Sequence, residues 1–122
     1  MPDVFVTEFL NDVPAEAIVQ KKVKIWGTSY EPGMLLVVRK QLYGELTVGL
    51  LKAIALVGGE ILFGCETFLC NQAQHNYYVS IRKLNRLEVV KSSKLADPHP
   101  LVRIGTPSSF AFCLHHYISN QM

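Results

Sequence analysis

Charge of either sign is scarce in this chain, and this scarcity narrows the classes of protein to which it can belong. Charged residues make up 18% of its 122 residues, and the formal net charge is +2. Hydrophobic residues make up 49%. So small a net charge argues against a strong polyanion binder, and so high a hydrophobic share argues against disorder. The composition therefore predicts one ordinary globular domain with a sizeable core.

Cysteine is also scarce, and the number of cysteines is odd. Cys65, Cys70 and Cys113 cannot all pair within one chain. Cys65 and Cys70 are five residues apart, so in a strand they point to opposite faces and do not bridge unless the strand turns between them. We expect reduced, mostly buried cysteines in an intracellular protein, either nuclear or cytoplasmic.

The chain shows neither a typical secretory signal nor an uninterrupted membrane span. The opening residues MPDVFVTEFLNDVP carry acids and no basic segment. The most apolar stretch, residues 46–70, contains three charged residues and is split by Gly58-Gly59. Two strands joined by a tight turn explain this stretch better than a span does. We therefore expect no membrane partner.

What the chain does contain is a succession of short apolar runs separated by turn residues. These runs are rich in Val, Ile, Leu, Thr and aromatic residues, which fit a pleated, half-buried surface. They read VKIW, MLLVV, LTVGLLKAIALV, EILFGCETFL and NYYVSI. The pattern predicts a mostly-β fold, either a single small barrel or a strongly bent antiparallel sheet. We expect about six to eight strands and one or two short helical turns.

One apolar run, residues 46–57, is compatible with either a helix or a strand. Leu50, Leu51, Ile54 and Ala55 keep helical spacing. The β-branched residues of the run, and the Gly-Gly pair that follows it, favour a strand and a hairpin, since both central residues of a type I′ turn need positive φ. We prefer the strand.

The chain divides into an N-terminal arm or short helix at residues 1–20 and a β-rich domain at residues 21–118. Asp12 and Pro14 have the positions of an N-cap and a first helical turn, so a helix is predicted over 14–20. Within the domain, residues 27–33 and 71–75 are predicted to be loops.

The remaining segments are predicted from the same signals. We expect strands at 21–26, 34–39, 60–69, 76–81, 87–90, 101–104 and 110–118, and one helical turn within 92–98 that is stopped by Pro98.

The order of these features resembles the C-terminal module of uncharacterised animal proteins derived from transposons, that is, domesticated mobile-element proteins. The resemblance covers about residues 22–118 and implies a β-rich accessory module with no assigned activity or site residues. Its motifs are Gly27, Tyr30, Pro32 and Gly33; Gly58-Gly59; His75, Tyr78 and Ile81; Leu95, Asp97, His99, Pro100 and Leu101; and Leu114, His116, Tyr117 and Ile118.

Metal binding and catalysis both lack a specific motif. Cys65, Cys70 and His75 are spaced C-x4-C-x4-H, with Cys113 and His115 as further ligands, whereas structural zinc sites use closer pairs on a turn. We expect no metal and no other cofactor. Residue types for nucleophilic catalysis occur at Asp97, His99, Cys113, His115 and His116, but no signature surrounds them. The protein is predicted not to be an enzyme, and no small-molecule substrate is indicated.

Basic residues accumulate between residues 82 and 103, where only Glu88 and Asp97 oppose them. Together with nearby tyrosines they could form a basic edge like that of barrels that stack nucleic-acid bases. Lysines on an edge strand also prevent aggregation, which is the simpler explanation. The nucleic-acid candidates are Arg82, Lys83, Arg86, Lys91, Lys94 and Arg103.

Aromatic residues near turns and strand ends suggest a groove for a peptide or a methylated lysine. Core packing and strand pairing are the simpler explanation for them. The groove candidates are Trp26, Tyr30, Tyr43, Tyr77 and Tyr78. The run Phe110–Ile118 suggests a self-association edge. The leading hypothesis is thus a non-enzymatic module that binds a protein partner or itself, and the alternative is a nucleic-acid-binding barrel that uses residues 82–103.

Overall fold

Strands dominate the computed structural model, which describes residues 17–41, 44–74, 77–102, 104–106 and 109–113. The predicted mostly-β class is therefore confirmed, and the only helical element among these residues is a 3₁₀ turn at Ser92–Lys94. The strands are β1 (Ile18–Gln20), β2 (Val23–Ile25), β3 (Thr28–Tyr30), β4 (Leu35–Lys40), β5 (Glu45–Val57), β6 (Glu60–Gln74), β7 (Tyr77–Lys91), β8 (Asp97–Leu101), β9 (Ile104–Thr106) and β10 (Ser109–Cys113).

Eight of these strands form one antiparallel sheet, and β2 and β3 form a separate hairpin. The order in the sheet is β8-β4-β5-β6-β7-β10-β9. β4 covers one end of β5, and β1 pairs with the other end, at Ile54–Leu56. Among the described strands, β1, β8 and β9 each pair on one side only. The sheet is open and strongly bent and does not close into a barrel.

Gly49 in β5 lies where side chains of both flanking strands, β4 and β6, come close to its backbone. A Cβ atom at this position would lie 2.8 Å from Cys65 Cβ and 3.0 Å from Val38 Cγ2. The flanking strands thus close over β5, and only glycine leaves room for them. Register shifts next to this point, between Val37 and Arg39 and between Leu51 and Ala53, add the local twist typical of bulges.

Both faces of the bent sheet are buried, each against its own set of apolar side chains. One cluster contains Leu35, Val37, Leu46, Val48, Leu50, Phe68, Cys70, Tyr78, Phe110 and Phe112. The other contains Tyr30, Leu36, Leu51, Ile54, Phe63 and Cys65. Cys65 and Cys70 are free and buried on opposite faces, as predicted, and the exposed Cys113 is free as well.

The hairpin predicted at Gly58-Gly59 is confirmed. Both glycines have positive φ, at 54° and 86°, and they join β5 to β6. Residues 46–57 form a strand, as preferred above. No helix in the described part of the chain is long and apolar enough to cross a membrane.

Three predictions of local structure are wrong. The predicted helix over 14–20 is contradicted at Ile18–Gln20, which form β1 because the half of β5 that β4 leaves uncovered offers backbone partners; residues 14–16 lie outside the described part. The loop predicted at 71–75 is contradicted at Asn71–Gln74, which continue β6 against Tyr77–Val79. The connection predicted at 27–33 contains β3.

The C-terminal half also differs from the predicted pattern. The two strands predicted at 76–81 and 87–90 are one strand, β7, because β6 pairs with it along nearly its whole length. The described part of the predicted self-association edge lies in β10. This strand runs between β7 and β9 and is no edge there; residues 114–118 lie outside the described part.

Candidate functional site

A cleft of about 580 Å³ opens between the β2–β3 hairpin, the 3₁₀ turn and β8. We call it the Trp26 cleft, and its size falls in the range of pockets that bind small ligands or a few side chains. Its wall combines apolar and aromatic side chains with hydroxyl groups and one imidazole. The lining residues are Ile25, Trp26, Thr28, Tyr30, Ser92, Ser93, Leu95 and His99.

Trp26 occupies the tip of the hairpin in an unfavourable backbone conformation. Its φ is 51°, and that of the following Gly27 is 83°. Both central residues of a type I′ turn need positive φ, which Asn and Gly accept and a bulky residue adopts at a cost of about 1 kcal/mol. The indole is nevertheless 99% exposed. Trp26 therefore costs stability without burying its side chain, which is typical of a residue kept for recognition.

Tyr30 connects the cleft to the hydrophobic core. It is 3% exposed, and its ring lies 5.2 Å from the ring of Phe63 at a tilt of 41°. Burial raises the pKa of the Tyr30 hydroxyl, and the nearby charge of Asp97 raises that pKa further. The wall of the cleft at Tyr30 is therefore part of the core, whereas the rim at Trp26 is exposed.

A buried carboxylate orients the imidazole of the cleft. Asp97 is 3% exposed, and its Oδ1 atom lies 3.0 Å from the backbone nitrogen of His99 and 2.9 Å from His99 Nδ1. Because a carboxylate only accepts hydrogen bonds, Nδ1 is the donor, and Nε2 of the neutral ring is an acceptor. The His99 side chain itself is 66% exposed. The pair thus fixes one ring orientation at the mouth of the cleft.

Of the predicted groove residues that the structure describes, Trp26 and Tyr30 alone line the cleft together. Tyr78 is buried and stacks on Phe112 at 5.4 Å with planes 4° apart, so its ring lies in the core. The reason is that Phe112 on β10 lies directly opposite Tyr78 in the sheet. Tyr77 is half-buried at the start of β7, and Tyr43 lies outside the described residues.

Sequence reasoning missed the other residues of the cleft, namely the hydroxyls of Ser92 and Ser93 and the floor residue Leu95. The Asp97 and His99 pair had a usable signal, because residues i and i+2 of a strand point to the same face. In the sequence the two residues are candidates for catalytic residue types and members of the motif that resembles transposon-derived proteins. Nothing in the local sequence indicates that this pair faces the β2–β3 hairpin.

The predicted nucleic-acid residues that the structure describes are distributed over different faces of the sheet. Lys83 Nζ lies 2.6 Å from Oε1 of the buried Glu66, and Lys91 Nζ lies 3.6 Å from Glu60 Oε2. Arg82 and Lys83 are successive residues of β7, so they point to opposite faces. The side chain of Arg86 and all of Arg103 lie outside the described part.

Two of the basic residues do share a second, shallower groove of about 400 Å³ beside β7. Lys91 and Lys94 line it with Arg39. Its remaining residues are Val38, Glu88, Val89 and Val90. Since Glu88 is bound to Arg39 by two hydrogen bonds, the groove has an excess of positive charge.

The residues weighed for metal binding and nucleophilic catalysis are mostly kept apart. Cys65 and Cys70 lie on opposite faces, and burial raises the pKa of each thiol to about 12, so both are protonated at neutral pH. Cys113 is not among the residues that line the cleft with His99. Within the described ranges, no group of three or more His, Cys, Asp and Glu side chains could hold a metal ion. His75, His115 and His116 lie outside those ranges.

Comparison with known protein families, curated proteins and solved structures finds no match. The resemblance to transposon-derived proteins therefore stays a prediction from the motifs alone. The function must be argued from the site.

Proposed function

We propose that this domain is a non-enzymatic interaction module that binds a segment of a protein partner in the Trp26 cleft. The observation that carries the proposal is the exposed indole of Trp26, which is held in a strained turn at the rim of a cleft. Tryptophan is among the residues most enriched at the energetic centres of protein interfaces, where it fills or closes a pocket.

The construction of the cleft supports a peptide as the occupant. A volume of about 580 Å³ accommodates a few side chains of an extended segment. Ile25 and Leu95 offer an apolar floor, while the hydroxyls of Thr28, Ser92 and Ser93 offer hydrogen bonds to a peptide backbone. An apolar floor with a few fixed polar groups gives both affinity and orientation.

Selection from a random peptide library displayed on phage tests this proposal. Peptides enriched on the wild-type domain are synthesised with a fluorescent label, and their affinity is measured by anisotropy. We expect Trp26→Ala to weaken binding at least tenfold, since hot-spot tryptophans contribute about 2 kcal/mol or more.

The matched control is Ile81→Ala, which removes an exposed apolar side chain of β7 that is not part of the cleft. It should bind like the wild type. Failure to enrich any peptide, or equal loss of affinity in both variants, would contradict the proposal.

A second candidate function, nucleic-acid binding, is favoured by one observation, the positive charge of the groove lined by Arg39, Lys91 and Lys94. Gel-shift titrations with random single- and double-stranded DNA and RNA test it at low and moderate salt. Binding through phosphates must weaken steeply with salt and be reduced by Lys91→Ala/Lys94→Ala. The control variant Lys21→Ala/Lys22→Ala removes two exposed lysines that do not line the groove. No shift at low salt rejects this function.

The wider assignment follows the resemblance and the composition. We place the module in an intracellular protein, nuclear or cytoplasmic, of transposon-derived origin, with no cofactor. Self-association is a further way for the module to act, and among the described strands β1, β8 and β9 have edges open to a second copy.

A further inference from the structure

We propose that the Trp26 cleft accepts a cationic side chain of the partner, that is, a lysine, an arginine or a methylated lysine. The inference rests on the proposed function and names the chemical class that the cleft prefers. It combines two features of the site, an exposed indole at the rim and a buried carboxylate behind the wall.

The first feature is the electrostatic sign of the cleft. Apart from the imidazole of His99, its lining residues carry no formal charge. Asp97, which is hydrogen-bonded to that imidazole, is only 3% exposed to solvent. Besides burial, the charge of Asp97 raises the pKa of the Tyr30 hydroxyl, and Tyr30 lines the cleft. Because charge is screened weakly away from water, the field in the cleft favours a cation and opposes an anion.

Two lysines that are close to the lining residues in sequence, Lys24 and Lys94, do not line the cleft. Lys24 lies in β2 between Val23 and Ile25, so its side chain points away from the face that Ile25 presents to the cleft. Lys94 lines the groove beside β7, not the Trp26 cleft. Among the described residues that line the cleft, His99 is therefore the one side chain that can carry a positive charge, and it does so when its ring is protonated.

The second feature is the aromatic rim. The face of an indole is the best aromatic partner for an ammonium or guanidinium group, and the attraction grows as water is removed. Trp26 is almost fully exposed and is available to cover an incoming group. A cation held between the indole and the Asp97 side of the wall gains both interactions, while a neutral side chain of the same shape gains only apolar contact.

Small probes test this preference without knowledge of the partner. Tetramethylammonium chloride is titrated against tert-butanol, a neutral molecule of similar size, with sodium chloride added to equalise the ionic strength. The signal is the indole N–H resonance of Trp26, which is unique because the chain has one tryptophan. We expect saturable shifts with the cation and about fivefold weaker ones with the alcohol.

The same comparison is then made with a selected peptide whose basic residue is replaced by norleucine. We expect about a tenfold loss of affinity in the wild type. In Trp26→Leu, which keeps an apolar rim without an aromatic face, the difference should shrink to about twofold. Asp97→Asn should also reduce the difference in affinity between the basic and the norleucine peptide. Circular dichroism checks whether this variant folds; if it does not, the result for Trp26→Leu decides.

The two proposals fail in different ways. Equal affinity for the basic and norleucine peptides, with both lost on Trp26→Ala, overturns the cationic preference and leaves the peptide site standing. No enriched peptide, together with no shift of the indole signal by any probe, overturns the peptide site and the preference with it. A tenfold preference that persists in Trp26→Leu and Asp97→Asn also overturns the inference, because the charge would then be recognised elsewhere.

Discussion

Arg39 and Glu88 form a two-pronged ion pair across the bent sheet, with Nη1–Oε2 and Nη2–Oε1 distances both 2.6 Å. Their strands, β4 and β7, are separated in the sheet by β5 and β6, a span of about 14 Å in a flat sheet. The two side chains therefore reach toward each other over the two strands between them. The pair raises the pKa of Arg39 and links the two halves of the sheet.

This pair is expected to contribute modestly to stability. Arg39→Met and Glu88→Gln should each lower the free energy of unfolding by about 1 kcal/mol, since the Arg39 side chain is 44% exposed and solvent screens the charges. Urea denaturation of the wild type, the two single variants and the double variant gives the coupling free energy between Arg39 and Glu88. A coupling energy near zero would show that the two-pronged geometry does not persist in solution.

Gly49 offers a sharper test of how closely β4 and β6 pack against β5. Gly49→Ala should destabilise the domain by about 2–3 kcal/mol, because the new Cβ overlaps Cys65 and Val38. The control is Gly58→Ala, where φ is 54° and no atom lies within 4 Å; only the backbone cost of about 1 kcal/mol remains. If chemical denaturation gives equal losses for the two variants, the strands do not close over β5 as described.

Lys83 forms an ion pair that supports the fold. The buried carboxylate of Glu66 lies 2.6 Å from Lys83 Nζ and 3.8 Å from Lys52 Nζ, so Lys83→Ala leaves it with the longer contact alone. We expect a loss of about 1–2 kcal/mol. The neighbouring Arg82→Ala should have almost no effect, because Arg82 is exposed. Thermal or urea unfolding of the two variants distinguishes them, and equal stabilities would contradict the burial of Glu66.

The three cysteines should differ in reactivity. Cys113 is exposed, whereas burial raises the pKa of Cys65 and of Cys70 to about 12, so neither forms appreciable thiolate at pH 8. A thiol reagent should therefore modify one cysteine of the native protein and all three after unfolding, as counted by mass spectrometry. Rapid native labelling of Cys65 or Cys70 would contradict the packing of the two clusters.

Because the backbone at Trp26 is strained, a substitution that relieves the strain should increase stability while it removes peptide binding. Trp26→Asn should raise the free energy of unfolding by about 0.5–1 kcal/mol, because Asn accepts positive φ more readily. Trp26→Val should lower it, since a β-branched residue accepts positive φ least. Both variants should lose peptide binding. Unchanged stability in both would show that the turn is not strained at this residue.

The fold followed from the sequence where local signals decide the structure, and not where distant segments meet. The Gly58-Gly59 turn and the apolar run of β4 carry their structure in their own residues. Asn71–Gln74 look like a loop locally and become strand only because β7 offers backbone partners. Long-range pairing overrides propensity in the same way at β1.

The candidate site was predicted only in part for the same reason. Trp26 and Tyr30 stood out as aromatics beside a turn, but the cleft needs β8 and the 3₁₀ turn to arrive from more than sixty residues away in the sequence. Pairing of Asp97 with Val37 of β4 is what places His99 near the hairpin. No periodicity within residues 92–99 specifies that neighbour.

The emission of Trp26 during titration with a selected peptide tests the central claim most directly, since the chain has no other tryptophan. The free domain should emit like an indole in water, in keeping with its 99% exposure. If the Trp26 cleft is the binding site, saturating peptide should shift the emission to shorter wavelength and reduce quenching by acrylamide, with a midpoint that matches the anisotropy titration. Peptide binding with unchanged emission and unchanged quenching would contradict the account, because the indole would then remain in water while the partner was bound elsewhere.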